Sequence, residues 1–184
     1  MLRHENLLDD SSACLLVIDV QERFAPHIEN FEQLVSKIVT MAKGAAILNL
    51  PIIVTEQYVK GLGPTVQPIK DACLGAQYFE KNCFPVTTDT FLAHLESLGR
   101  KQVIVTGIET HVCVNQSVHE LLRHSYQVHV IEDAVGSREA LHRSVGLKKM
   151  ERAGAIISST ETALFEMLKE AGTARFKEVQ ALVK

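Results

Sequence analysis

The chain has 184 residues, 46% hydrophobic and 22% charged, a balance that supports one buried core and excludes the composition of a disordered protein. A net charge of −3 is spread over 19 basic and 22 acidic residues with no Lys/Arg block, which argues against nucleic acid as a partner. No apolar run approaches the roughly 20 residues that cross a bilayer, and Met1–Ser12 is polar, unlike a secretory signal. The expectation is a single domain over 1–184, soluble and cytoplasmic, with no membrane partner.

The first element is Ala13 to Val20, a nearly unbroken apolar and β-branched run carrying Asp19 at its end, the pattern of a strand covered on both faces of a parallel sheet. Phe31, Leu34, Val35, Ile38, Met41 and Ala45 then recur at helical spacing within Asn30 to Leu50, and Pro51 ends the helix. Ile52 to Glu56 is the second strand. The segment Tyr58 to Pro68, with Gly61, Gly63, Pro64 and Pro68, suits an irregular surface loop.

Ala76 to Glu80 predicts a short strand leading to Lys81, followed by a helix over Thr88 to Leu98 with Gly99 at its C-cap. Gln102 to Thr106, Gln127 to Glu132 and Ala155 to Ser159 predict three further strands, each followed by helical periodicity starting near Thr110, Ser137 and Thr160. Alternating strands and helices with right-handed crossovers give an α/β three-layer αβα fold, doubly wound and Rossmann-like, with a mostly parallel central sheet.

In such sheets the ligand crevice lies beyond the carboxyl ends of the strands, where Asp19, Lys81 and Cys113 all fall. Thr110 as N-cap sets Cys113 in the first helical turn, where unpaired N–H groups and a nearby ammonium would lower its pKa and leave a thiolate near neutral pH. Cys113 reads equally as a buried apolar residue. Asp19 could instead cap a turn beside Gln21-Glu22-Arg23, and Lys81 could be a solvated loop residue. Cys14 is expected in the core and Cys73 in a loop or at the surface, while Cys83 stays open. Glu109 and His111 flank Cys113 as pocket wall.

Three segments together, Leu15–Phe24 (LLVIDVQERF), Phe79–Phe84 (FEKNCF) and Val105–Val114 (VTGIETHVCV), resemble in order and spacing the signatures of the isochorismatase-like cysteine hydrolase superfamily. The stretch Thr55–Thr65 and the tail Arg175–Gln180 resemble its isochorismatase domain-containing branch. The resemblance implies an Asp19, Lys81, Cys113 triad and a cis peptide at Ile108–Glu109. It further implies an oxyanion site made by the N–H groups of Glu109 and Cys113. Metal-binding members carry histidines after the second strand where this chain has Glu56-Gln57-Tyr58, so neither metal nor other cofactor is expected.

A cysteine nucleophile points to a small amide-like substrate, with Phe24, Glu56, Gln57, Tyr58, Phe84, Ile108, Thr110 and His111 as candidate pocket residues. Family members commonly form dimers or higher assemblies, so a homo-oligomer is expected. The competing expectations are a catalytically silent oligomeric binding protein that keeps the pocket, and a thiol sensor pairing Cys113 with Cys83. Ribonuclease-like activity, named for some relatives, is opposed by the acidic chain.

Overall fold

Strand β1 (Ala13–Ile18) shows why the sheet is covered on both sides: Ala13, Leu15 and Val17 enter one apolar cluster, and Cys14, Leu16 and Ile18 the other. In the computed structural model, which describes residues 3–184, it pairs in parallel with β2 (Ile52–Gln57) and β4 (Gln102–Ile108). Strand β3 (Gln77–Lys81) extends the sheet beyond β2, while β5 (Gln127–Gly136) and β6 (Ile156–Ser158) extend it beyond β4. The six-stranded order is β3-β2-β1-β4-β5-β6 with every pair parallel, which is the expected doubly wound architecture.

On one face α1 (Phe31–Ile47), α3 (Gln67–Ala72), α7 (Thr160–Leu168) and α8 (Ala174–Val183) contribute Leu34, Ile38, Ile69, Leu164 and Val179 to the first cluster. On the other, α4 (Asp89–Ser97), α5 (Asn115–Arg123) and α6 (Ala140–Arg152) contribute Phe91, Leu95, Val118, Leu121, Leu147 and Met150 to the second. Chain direction around the sheet reverses between β1 and β4, so their carboxyl ends open the switch-point crevice. Gly107 lets them approach: its φ is +117°, and a Cβ there would lie 2.1 Å from the Ile18 carbonyl oxygen.

Several boundaries differ from expectation. β1 stops at Ile18 because Asp19 turns to φ 54°, leaving the extended conformation. β5 runs on to Gly136; the polar Glu132 and Asp133 hide its second half, which pairs with β4 past a register shift between Val105 and Gly107. The Tyr58–Pro68 segment is not wholly irregular, since it holds α2 (Val59–Leu62) and the start of α3. α8 was not anticipated; its polar composition conceals a single buried anchor, Val179. Cys73, expected in a loop or at the surface, is 2% exposed and belongs to the α1-side cluster, because α3 folds back onto α1. Thr88 and Gly99 behave as expected: the Thr88 hydroxyl caps α4 by accepting from Phe91 N–H, and Gly99 follows the helix at φ +64°.

Candidate active site

Asp19 closes β1 in the left-handed region, a conformation that costs a non-glycine residue energy and is concentrated at functional sites. The surroundings hold it there. Asp19 N–H donates to the Thr55 carbonyl at 3.0 Å, and its Oδ1 accepts from the Thr55 hydroxyl at 2.7 Å. Its other oxygen, Oδ2, lies 2.5 Å from Lys81 Nζ in an ion pair whose two side chains are both almost wholly buried.

Lys81 ends β3 and so is carried under the rim instead of into a solvated loop. Its ammonium donates to Asp19 Oδ2, to the Cys83 carbonyl at 3.2 Å and to the Phe84 carbonyl at 3.0 Å. Three acceptors match its three N–H bonds. The Lys81 charge therefore belongs structurally to Asp19 and to the backbone of the β3–α4 loop.

Cys113 sits where α5 was expected to begin, but the turn is different. Thr110–Val114 forms a π-helical turn, with Glu109 at its N-cap and no side-chain cap; the buried Thr110 hydroxyl has no protein partner. Thr110 is thus a packing residue. The Glu109 carbonyl accepts from both Val112 and Val114 N–H, at 3.0 and 3.2 Å. α6 presses on the turn through Gly146, where a Cβ would meet the Thr110 carbonyl oxygen at 2.9 Å. From the other end, the Ser117 hydroxyl donates to the Cys113 carbonyl at 2.6 Å and accepts from Val86 N–H at 3.0 Å. The Ile108–Glu109 peptide is cis.

The Cys113 thiol is shifted in the direction opposite to that expected. Burial first, then the Asp19 charge, pushes the Cys113 thiol up to about 12, and the opposing pull of Lys81 does not offset them. The reason is visible in the lysine's contacts, all spent elsewhere. Cys113 is 4% exposed, and its Sγ donates to Gln57 Oε1 at 3.6 Å. Gln57 is thus drawn into the centre, and a second glutamine places it. Gln21 accepts from Gln57 N–H at 2.8 Å and donates to its carbonyl at 2.9 Å, acting as a substitute strand partner beyond the end of β1. Gln21 Nε2 also donates to the Gly63 carbonyl at 2.6 Å.

Other pocket candidates are distributed unevenly. Glu56, one residue before Gln57, faces the opposite side of β2 and uses Oε1 to accept from Thr65 N–H and its hydroxyl, at 2.6 and 2.7 Å. It braces a loop instead of lining the centre. Phe24 and Ile108 pack into the α1-side cluster, whereas Cys113 belongs to the opposite one. Tyr58 and Phe84 are exposed at the rim, and Tyr58 lines a cavity of about 290 Å³ with Lys60, Glu80, Lys81 and Asn82.

Around the turn, the buried Glu109 carboxylate accepts from the backbone and side chain of Arg138, at 3.1 and 3.0 Å. His111 hydrogen-bonds Ser137 at 3.1 Å and stacks on His142 with centroids 4.6 Å apart; burial lowers its pKa. Among the described residues no group of three or more His, Cys, Asp or Glu is arranged to hold a metal ion. All four cysteines are free, and Cys83 is exposed. Gln21, Thr55, Ser117 and Arg138 were not singled out from sequence; Gln21 and Thr55, inside otherwise distinctive segments, carried a local signal.

Comparison with known proteins shows the family of the chain. A family model described as the isochorismatase domain matches residues 13–162. The chain is 36% identical over 177 residues to isochorismatase domain-containing protein 2 of Danio rerio, covering 96% of this chain and 89% of that one. Among solved structures, the MAR1 ribonuclease of Caenorhabditis elegans has a TM-score of 0.92 at 36% identity, with 96% of this chain and 92% of that chain covered. The YcaC gene product of Escherichia coli, titled an octameric hydrolase of unknown specificity, has a TM-score of 0.90 at 22% identity over 98% and 92% of the two chains, a likeness of fold alone.

Proposed function

Because the chain belongs to the isochorismatase family, we propose that it is a cysteine hydrolase of a small amide-like substrate, working through a covalent acyl-enzyme on Cys113. The observation that carries this reading is the buried Asp19–Lys81 pair, which bears electrostatically on a thiol at the switch-point rim. An ion pair withdrawn from water beside a sulfur atom has no evident value for stability alone.

The chemistry starts from a protonated thiol. As the substrate carbonyl approaches, the Cys113 proton passes to the Asp19 carboxylate while sulfur attacks the carbonyl carbon. Negative charge moves to the carbonyl oxygen, which is held by the N–H groups of Glu109 and Cys113. Asp19 returns the proton to the departing amine as the C–N bond breaks, leaving a thioester. Water, deprotonated by Asp19, then cleaves the thioester and restores the thiol. Lys81 keeps Asp19 in place and balances its charge through the cycle. Substrate and water enter, and the leaving amine departs, past the exposed Tyr58 and Phe84.

The test is a panel of small primary and secondary amides, with amine release measured and acid-quenched protein weighed. The expected result is acyl mass on Cys113 and no release by Cys113→Ser. Release that persists in that variant rejects the mechanism.

A second reading, a silent binding protein that retains the pocket, is favoured by the low exposure of Cys113. It is supported if the panel binds without acylation. The thiol-sensor reading is weaker, because the Gln57 amide stands between Cys113 Sγ and the Cys83 carbonyl. The ribonuclease activity in the nematode relative's name does not carry over to a chain of net charge −3 without a basic block. Assembly into a homo-oligomer, as in the octameric YcaC neighbour, is part of the same proposal, as is a cytoplasmic location.

A further inference from the structure

The side-chain amide of Gln57 has a fixed orientation. One end faces the Cys83 carbonyl at 3.4 Å, and that oxygen already accepts from Lys81 Nζ at 3.2 Å. A peptide oxygen can only accept, so the end of the amide turned toward it is the nitrogen. Oε1 is then left facing Cys113 Sγ at 3.6 Å. A carbonyl oxygen beside sulfur is favourable when sulfur carries a proton to donate and repulsive when it does not.

The amide also has little freedom to turn over. Gln57 is 9% exposed, its backbone is paired with Lys81 in the sheet, and Gln21 grips both its N–H and its carbonyl. Reversal would set Oε1 against the Cys83 carbonyl, two acceptors with no proton between them.

From this geometry we propose that Gln57 is a positioning residue that holds Cys113 as a neutral S–H donor in the free protein, so that ionisation waits for an incoming substrate. The proposal rests on Cys113 being the nucleophile and deepens that reading by assigning its regulation. Gln57 Oε1 shares the resting thiol with the Asp19 carboxylate, which also hydrogen-bonds it, and transfer of the proton to Asp19 accompanies the turn of sulfur toward an electrophile. An unoccupied site is thereby protected from adventitious alkylation or oxidation, which consume thiolate.

The test uses Gln57→Met, which keeps length and bulk but removes the acceptor. Alkylation of Cys113 is followed by peptide mass spectrometry between pH 7 and 9.5, with iodoacetamide and with the bulkier N-ethylmaleimide. Loss of one hydrogen bond to the neutral thiol is expected to speed both reagents about fivefold at each pH, while Cys14 and Cys73 keep their rates. Unchanged rates overturn the proposal. So does a gain confined to the bulkier reagent, which would report a wider opening instead of a freer proton. Gln57→Leu repeats the measurement if the methionine variant does not fold. Because alkylation is read without turnover, this outcome is separate from the fate of the hydrolase reading, which Cys113→Ser decides on the amide panel.

Discussion

Two buried polar places in this sheet receive opposite treatment. At the rim, Asp19 and Lys81 sit in an almost dry environment with every strong donor and acceptor engaged. In the middle of β5, His129 is fully buried on the α1 side and neither ring nitrogen has a protein partner. The first place retains an ion pair because partners replace the lost water. The second stays neutral, since burial alone drives the His129 pKa down to about 4. Burial by itself therefore does not decide whether a charge is kept; matched partners do.

The largest way to break this contrast is to orphan one member of the rim pair. Lys81→Met leaves Asp19 buried without its cation and should cost about 3–5 kcal/mol in urea unfolding. Adding Asp19→Leu to the same chain should recover part of that loss. If the double variant is no more stable than the single one, the pair is not energetically coupled. Asp19→Asn, which leaves Lys81 facing a neutral amide, is expected to lower stability as well as turnover.

The next effect concerns acid. The His129 pKa is depressed in the folded chain, so its contribution is intact above the unfolded value of about 6.5 and is lost as pH falls toward 4. The loss should reach about 3 kcal/mol at pH 4 relative to neutral pH. His129→Leu should flatten that segment of the stability profile, and an unaltered acid slope in the variant would remove His129 as its cause. At pH 7 the same replacement, which removes two unpaired buried nitrogens, should stabilise the fold by about 1 kcal/mol.

The smallest test leaves stability untouched. With burial and Asp19 holding Cys113 protonated, the exposed Cys83 should be alkylated by iodoacetamide well before Cys113 in the free protein. Faster labelling of Cys113 would show that Lys81 reaches the sulfur more effectively than its three occupied hydrogen bonds suggest.

Much of the candidate site was legible because its residues lie at or just beyond the ends of strands. Asp19 stands out as a charge at the end of the apolar β1 run, whereas Lys81 closes the polar strand QYFEK and stands out only by its company; a doubly wound sheet sends both strand ends to one rim. What was misjudged depended on side-chain direction. Glu56 and Gln57 look equivalent as neighbours, yet strand alternation sends one to Thr65 and the other to Cys113. Ile108 and Phe24, named for the same pocket as Cys113, pack into the core cluster on the other side of the sheet. Thr110 looks like a cap, but the π-helical turn begins at Glu109 and leaves its hydroxyl unpaired.

Strand and helix periodicities are local, repeating every two or about 3.6 residues, so they alone determined the alternating α/β plan, while three short motifs carried the resemblance to the family and the candidate residues at the rim. The protonation state of the sulfur and the identity of its hydrogen-bond partner were decided only by tertiary structure. Lys81 meets Asp19 across 62 positions and Cys113 meets Gln57 across 56. Desolvation and hydrogen-bond direction at such meetings depend on what the folded chain brings together, and no local pattern encodes them.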